Sequence, residues 1–383
     1  MSLSTVSTQL MSSGPMSISR HRVSPLTPTA SLPCSALCQR LLSLLCAALI
    51  LFCLGAPLAV GAEKTKAADL VEDGQAIDLA SDRYALLFEE LQAEHRFSRN
   101  ELDRWFTGVR IDKKVLELMD HQWEAKPYYQ YRPLFVTRKI IAKGRKMLVK
   151  HEDLLDRIED RFGVEREVII AIWGIESRFG SHRGSFNVFE TLNTLFDAYP
   201  RRSSFFREQL VYFLIVCREN NMDPLKIKGS YAGAFGQTQF IPSSFHEYAV
   251  SFDDDAIRDV FNSTEDVLAS IANYLRRFGW TLNAPVYVDI GSELKTQELI
   301  SANLKGRKGT VDYRVVSAAQ GVDLSAPPEN RELTIVGLEI DPALGGGYRY
   351  VAGYPNFQAI TEWNHSNRYA MAVTELAEAI RIP

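Results

Sequence analysis

The chain has 383 residues, of which 46% are hydrophobic and 23% charged, with a formal net charge of −4. That is the make-up of an ordinary folded protein, long enough for two or three domains and a large core. The acidic balance argues against general nucleic-acid binding.

The first 62 residues stand apart. They contain no Asp or Glu, and Arg20, Arg22 and Arg40 supply positive charge. Leu41 to Ala62 carries no charge at all. A basic region followed by an apolar one is the pattern of a secretory leader. Small residues in Val60-Gly61-Ala62 predict cleavage after Ala62 and export of the body to the periplasm. The competing reading is an uncleaved membrane anchor, since the apolar run is nearly membrane-spanning in length. Met11 and Met16 are alternative starts. Cys46 and Cys53 follow Leu45 and Phe52, so no lipobox is visible. Without the leader, 40 basic residues face 47 acidic ones, a net charge of −7. Cys34, Cys38, Cys46 and Cys53 all lie in the leader, which leaves Cys217 as the body's one thiol. It reads as buried and structural, so core size rather than disulfides must stabilise the body.

In chain order, residues 63–83 are polar and alanine-rich and read as a linker. Residues 84–280 read as helical. "DRYALLFEELQAEH" has apolar residues three and four apart, and "VLELMDHQWEA" continues that style. "RKMLVKHEDLLDRIEDRFG" predicts one amphipathic helix, with Leu148, Leu154, Leu155 and Ile158 inward and Gly163 as its stop. "REVIIAIWGIESRF" predicts a helix ended by Gly180. "SSFFREQLVYFLIVCREN" and "VLASIANYLRRFGW" predict two more. Over 281–352 the β-branched runs "APVYVDI", "DYRVVSA" and "ELTIVGLEI" lie between Gly, Pro and Asn clusters, which predicts a small β-rich subdomain. Residues 353–383 return to helix with "SNRYAMAVTELAEAIRI". The fold class is therefore mainly α (α+β), with an inserted β element.

Several chemistries lack their motifs. There is no P-loop, no G-x-G-x-x-G, no H-E-x-x-H and no G-x-S-x-G. "LGGGYRY" at Leu344–Tyr350 has no P-loop lysine and reads as a turn. Carboxylates and amides must carry the chemistry.

Glu176 is the first candidate. On a helix it shares a face with Ile169, Ile172 and Trp173, at the end of a run apolar nearly all round. Burial raises a carboxyl pKa, and a carboxyl still protonated near neutral pH can serve as a general acid. The plainer reading is that Glu176 marks the helix end, or pairs with Arg178. A second stretch, "GSYAGAFGQTQFIPSSFHEYA" from Gly229 to Ala249, is dense in small residues that let a backbone approach a ligand. Its Gln237 and Gln239 offer amides to sugar hydroxyls and acetamides. The plainer reading there is a loop leading into a helix at Pro242, capped by Ser243.

Together the motifs resemble the lytic murein transglycosylase B family. They run E-S-x-F-G at Glu176–Gly180, Y-P-R-R at Tyr199–Arg202, then G-S-Y-A-G-A-x-G-x-x-Q-F-x-P-S-S at Gly229–Ser244. A-N-Y at Ala272–Tyr274 and P-N-F…N-H-S…Y-A-M-A-V within Pro355–Val373 complete the series. The resemblance covers most of residues 84–380. It implies a lysozyme-like helical core with an additional α domain and a small β domain. It implies cleavage of the β-1,4 bond between N-acetylmuramic acid and N-acetylglucosamine in peptidoglycan, without water, giving 1,6-anhydro products.

By that resemblance Glu176 is the single catalytic group, acting first as acid and then as base. Gln239 stands beside it to orient substrate, and Ser230 is the serine whose hydroxyl faces it. Tyr131 and Tyr274 are groove aromatics, Arg201 and Arg202 lie near the peptide stem, and Asn364 and Tyr369 line the cleft. The other readings are half-buried core for the tyrosines, a solvated pair for the arginines and a helix cap for Asn364. Trp363 stands where the family often has tyrosine, which keeps a ring and loses a hydroxyl. No cofactor is required. The family often carries an EF-hand-like loop, here "SFDDDAIRDVFNSTED" with Asp253, Asp255 and Asp259 at alternate positions. Ser251 takes the first ligand place and Ala256 that of the turn glycine, so an acidic surface loop is favoured over a structural calcium site. The expected partners are glycan strands and wall-remodelling proteins, not nucleic acid. Two alternatives stay open: a muramidase-type hydrolase, which would need a second carboxyl group, and an inactive cell-wall-binding protein.

Overall fold

The fold is built around one nearly all-apolar helix, Arg166–Ser177, in which Val168 through Gly174 are buried. The computed structural model describes residues 66–120, 126–253 and 255–381. The expected leader, its cleavage point and the first linker residues lie outside that range. Among the described residues no helix is long and apolar enough to cross a membrane.

Helices Arg138–Lys150, Thr264–Arg277 and Asn367–Ile380 surround this central helix. A helix buried on all sides needs apolar residues all round, and Ile169, Ile170, Ala171 and Ile172 are fully enclosed. Helices Val188–Ala198 and Ser203–Glu219 pack on one another. The N-terminal helices Asp82–Ala93, Arg99–Phe106 and Lys113–Asp120 join them. There Tyr84 donates to the Asn193 side-chain oxygen at 3.0 Å and its ring meets Phe196. The helix from Arg99 starts in a full capping box between Ser98 and Glu101. Cys217 is buried, as its apolar setting predicts.

Three local expectations are corrected. The single helix expected across Arg145–Gly163 is two, Arg138–Lys150 and Glu152–Phe162, broken at His151 (φ −116°, ψ 26°). The break lets the halves serve different partners. The first packs chiefly on the central helix and the second on Thr264–Arg277. Gly163 does stop the second half, at φ 66°. The "DYRVVSA" run is helical over Tyr313–Gln320, because the Asp312 carboxylate caps Arg314 N–H at 2.8 Å and turns the chain. Ser243 is not a cap. Pro242 opens that helix, and Ser243 N–H donates instead to Gln209 Oε1 at 3.0 Å.

Two sheets complete the structure. Strands β1 (Phe186–Asn187) and β2 (Lys228–Gly229) form an antiparallel pair with Phe186 opposite Gly229. The larger sheet contains β3 (Tyr287–Gly291), β4 (Thr310–Val311), β5 (Leu333–Glu339) and β6 (Tyr348–Gly353), in the antiparallel order β3-β6-β5-β4. Alternation along β5 gives it two buried faces. Leu333 and Ile335 join a small core with Leu299, Val316 and Tyr354, while Val336 and Leu338 join the main core. The glycine run Gly345–Gly347 turns with φ of 105°, 65° and 84°, as expected, but Tyr348–Tyr350, read with it as turn, already belong to β6 because they pair with β5 and β3.

Candidate active site

Glu176 occupies the last turn of the central helix, which ends at Ser177, three residues before the expected Gly180. Arg178, Phe179 and Gly180 then follow in the left-handed region at φ 51°, 57° and 78°. Phe179 folds back edge-on against Trp173, their ring centroids 5.5 Å apart. At Gly180 a Cβ would fall 2.3 Å from Gln237 Oε1, so the motif glycine serves both a backbone angle and a close approach.

The Glu176 carboxyl is enclosed by protein although the residue retains some solvent exposure. Desolvation pushes its pKa up to about 7, against the opposing pull of hydrogen bonds from Tyr369 and Trp363. The Tyr369 hydroxyl donates to Oε1 at 2.5 Å. Burial, then the facing carboxyl, hold that hydroxyl far above its usual pKa, so it stays a donor. Glu176 does lie at the helix end, as the plainer reading has it, but its carboxyl is enclosed and its partners are Tyr369 and Trp363 rather than Arg178.

The glycine-rich stretch supplies two glutamines with different tasks. Gln237 is buried and structural: its Oε1 accepts from the Trp173 indole at 2.9 Å and its amide donates to the Phe261 carbonyl at 2.8 Å. Gln239 sits at φ 50°, tethered by Nε2 to the carbonyls of Gly236 (2.8 Å) and Arg183 (3.4 Å). It lines a groove of about 470 Å³ with Arg202, Tyr274, Trp363 and Asn364. Through Trp363 this groove adjoins Glu176. The groove has an aromatic floor. Tyr274 lies between Trp363 and Phe278, each with its ring centroid 4.6 Å away, and its hydroxyl donates to the Glu362 carbonyl at 2.8 Å.

Other expected residues take distinct places. Tyr131 is buried against Phe135 and lies within electrostatic range of Tyr369. Ser230 Oγ accepts from the N–H groups of Ala232 (3.2 Å) and Ala234 (3.1 Å), so its described bonds run to its own turn and not to Glu176. The two arginines separate. Arg201 pairs with Asp120 at 2.9 Å, whereas the Arg202 guanidinium stacks 4.1 Å from the Phe205 centroid and lines the groove. Asn364 is not a helix cap, because Ser366 caps the helix that follows.

Sequence reasoning missed two things. Trp363 retains a hydrogen-bond donor to Glu176 through its indole, which the ring-only comparison with tyrosine overlooked. Glu362 also lines the groove, and nothing in its helical pattern marked it. Arg307 holds it at 2.6 Å.

Among the described residues of the acidic loop, no three carboxylate or histidine ligand atoms converge. Asp253, Asp255 and Asp259 each accept from loop N–H groups, of Asp255, Ile257 and Phe261. The buried Asp266 bridges Phe252 N–H and Asp259 N–H, both at 2.7 Å. Among the described residues the carboxylate and histidine ligand atoms that converge are those of Glu90, Glu94 and His95, far along the chain from this loop. Ala256 does turn at φ 65°, the conformation expected where a glycine would stand.

Residues 80–378 match the profile of a family described as the transglycosylase SLT domain. The chain is 33% identical over 323 residues to the membrane-bound lytic murein transglycosylase B of Escherichia coli (strain K12), covering 80% of this chain and 84% of that protein. The soluble lytic transglycosylase SltB1 from Pseudomonas aeruginosa superposes with a TM-score of 0.70 at 34% identity, over 77% of this chain and 97% of that one. SltB3 from the same organism, solved in complex with NAG-NAM-pentapeptide, superposes with a TM-score of 0.65 at 31% identity, over 78% of each chain.

Proposed function

This chain belongs to the transglycosylase SLT domain family, and we propose that Glu176 performs both proton transfers of a peptidoglycan lytic transglycosylase. The observation that carries the reading is the desolvated carboxyl of Glu176, its pKa pushed up to about 7, held by Trp363 beside a groove whose one lining carboxylate, Glu362, is tied to Arg307.

Glu176 starts protonated and gives its proton to the glycosidic oxygen as the bond to the muramoyl anomeric carbon breaks. The carboxylate it becomes is stabilised by Tyr369 and Trp363. That carboxylate then takes the proton of the muramoyl 6-hydroxyl, whose oxygen closes on the anomeric carbon. The products are a free 4-hydroxyl and a 1,6-anhydro ring, and Glu176 ends protonated again. No water is consumed, so no second carboxylate is needed. Gln239, Arg202, Asn364 and the Tyr274 floor bind the strand, Tyr131 and Ser230 shape the groove beside them, and Arg201 reinforces the rim through Asp120. The SltB3 complex, which holds a disaccharide pentapeptide, supports this substrate class. The reading needs no ion in the 251–266 loop, and export by the leader would place the enzyme with its substrate in the periplasm.

The test is a digest of purified sacculi followed by mass analysis. Muropeptides lighter by one water than muramidase products are expected, and Glu176→Gln lowers their yield by about a thousandfold. Reducing-end products would favour the hydrolase, and no release at all a wall-binding protein.

A further inference from the structure

Next to the catalytic groove lies a second cleft, of about 400 Å³, between β5–β6 of the larger sheet and the start of helix Asn367–Ile380. The two share one lining residue, the exposed His365, so they are neighbours on the surface. Nothing in the proposed reaction uses the second cleft. We propose that it is a saccharide subsite, which takes a neutral N-acetylated sugar of the same glycan strand beyond the groove. This rests on the proposed function for the identity of the strand.

Four observations carry it. Tyr348 is 44% exposed at the cleft and stacks on Tyr350, their centroids 5.6 Å apart and the rings 24° from parallel. A fixed, exposed aromatic face suits the apolar face of a pyranose. Secondly, Gly337 lets the two tyrosine rings and the Asn303 side chain close onto the strand and fixes them at the cleft wall. A Cβ there would lie 2.9 Å from the Tyr350 ring, 3.2 Å from Asn303 Oδ1 and 3.3 Å from the Tyr348 ring. Thirdly, Asn367 lines the cleft, and its side-chain oxygen is buried without a hydrogen-bond partner among the described residues. A buried acceptor left unmatched calls for a donor, such as a sugar hydroxyl or an acetamido N–H. Finally, both arginines at the cleft are already neutralised, Arg307 by Glu362 at 2.6 Å and Arg368 by Glu339 at 2.5 Å. That favours an uncharged sugar over an anionic peptide stem.

The experiment uses the full chain and stem-free glycan strands of two lengths, one of two disaccharide units and one much longer. Tyr348→Ala is expected to raise KM on the long strands by about tenfold, the scale of one lost aromatic contact, with kcat and the short substrate unchanged. Tyr348→Phe keeps the stacking face and is expected to behave as the parent chain. An equal change in KM on both lengths, or no change on either, would overturn the subsite. If the parent chain makes no anhydro ends, the proposed reaction fails, while the Kd of the long and short strands for the parent chain and for Tyr348→Ala still decides the cleft.

Discussion

The Tyr369 hydroxyl donates to Glu176 Oε1 at 2.5 Å across 193 residues of sequence. The bond ties the helix that carries the acid to the C-terminal helix. It also stabilises the carboxylate that forms once Glu176 gives up its proton. Tyr369→Phe removes the donor and little else. It is expected to lower kcat by about tenfold to a hundredfold, the worth of a hydrogen bond to a charged group. Steady-state rates on sacculi test this.

The proton on Glu176 sets the pH profile. Activity is expected to decline above about pH 7 as the acid ionises before it can act. Trp363 pulls the Glu176 pKa down by donating to it. Trp363→Phe should therefore move the alkaline limb to higher pH, and Tyr369→Phe should move it the same way. A limb that stays in place in both variants would contradict the assigned donors.

Burying this carboxyl also affects stability. Its folded pKa is raised, so between about pH 4.5 and 7 the native state holds a proton that the unfolded chain releases. Stability from this group is therefore lost as pH rises through that window and stays lost above it. Glu176→Gln, which cannot ionise, is expected to melt higher than the parent at pH 8 and closer to it at pH 4. Thermal unfolding at the two pH values measures the difference.

Gly180 supports the site from behind. Gly180→Ala puts a Cβ against the Gln237 amide at a left-handed φ, and Gln237 holds the Trp173 indole. The expected loss is about 2–4 kcal/mol, read by denaturant unfolding.

The acidic loop is stitched by its own carboxylates. Calcium, compared with a chelator, is expected to move the melting temperature by less than about 1 °C, because the loop's described carboxylates bond its own N–H groups and no three of them converge. A larger rise would restore the structural-calcium reading.

Much of this was legible in the sequence, for identifiable reasons. The run from Val168 to Trp173 could only be a buried helix, and that alone placed Glu176 at the edge of a core. β3 and β5 were visible as β-branched runs between turns, whereas β6 was not, because its first residues, Tyr348–Tyr350, read as part of the glycine turn. The break at His151 was not legible, because both halves keep one continuous apolar period and only their different packing partners separate them. Nor was the helix Tyr313–Gln320, whose valines outweighed the Asp312 cap. The motifs brought Tyr369, Tyr274, Gln239 and Asn364 to the site region, yet pattern could not show that Gln237 is structural and Gln239 lines the groove. They lie two residues apart, and only the turn between them sends the first inward.

The central claim is that the substrate's own hydroxyl, deprotonated by Glu176, closes the ring. The most direct measurement is a digest of sacculi in heavy-oxygen water, followed by mass analysis of the new muramoyl ends. The account predicts anhydro ends that carry no heavy oxygen. Reducing muramoyl ends, heavier by one water and carrying heavy oxygen on the anomeric carbon, in place of anhydro ends would show that water is the nucleophile and would contradict it.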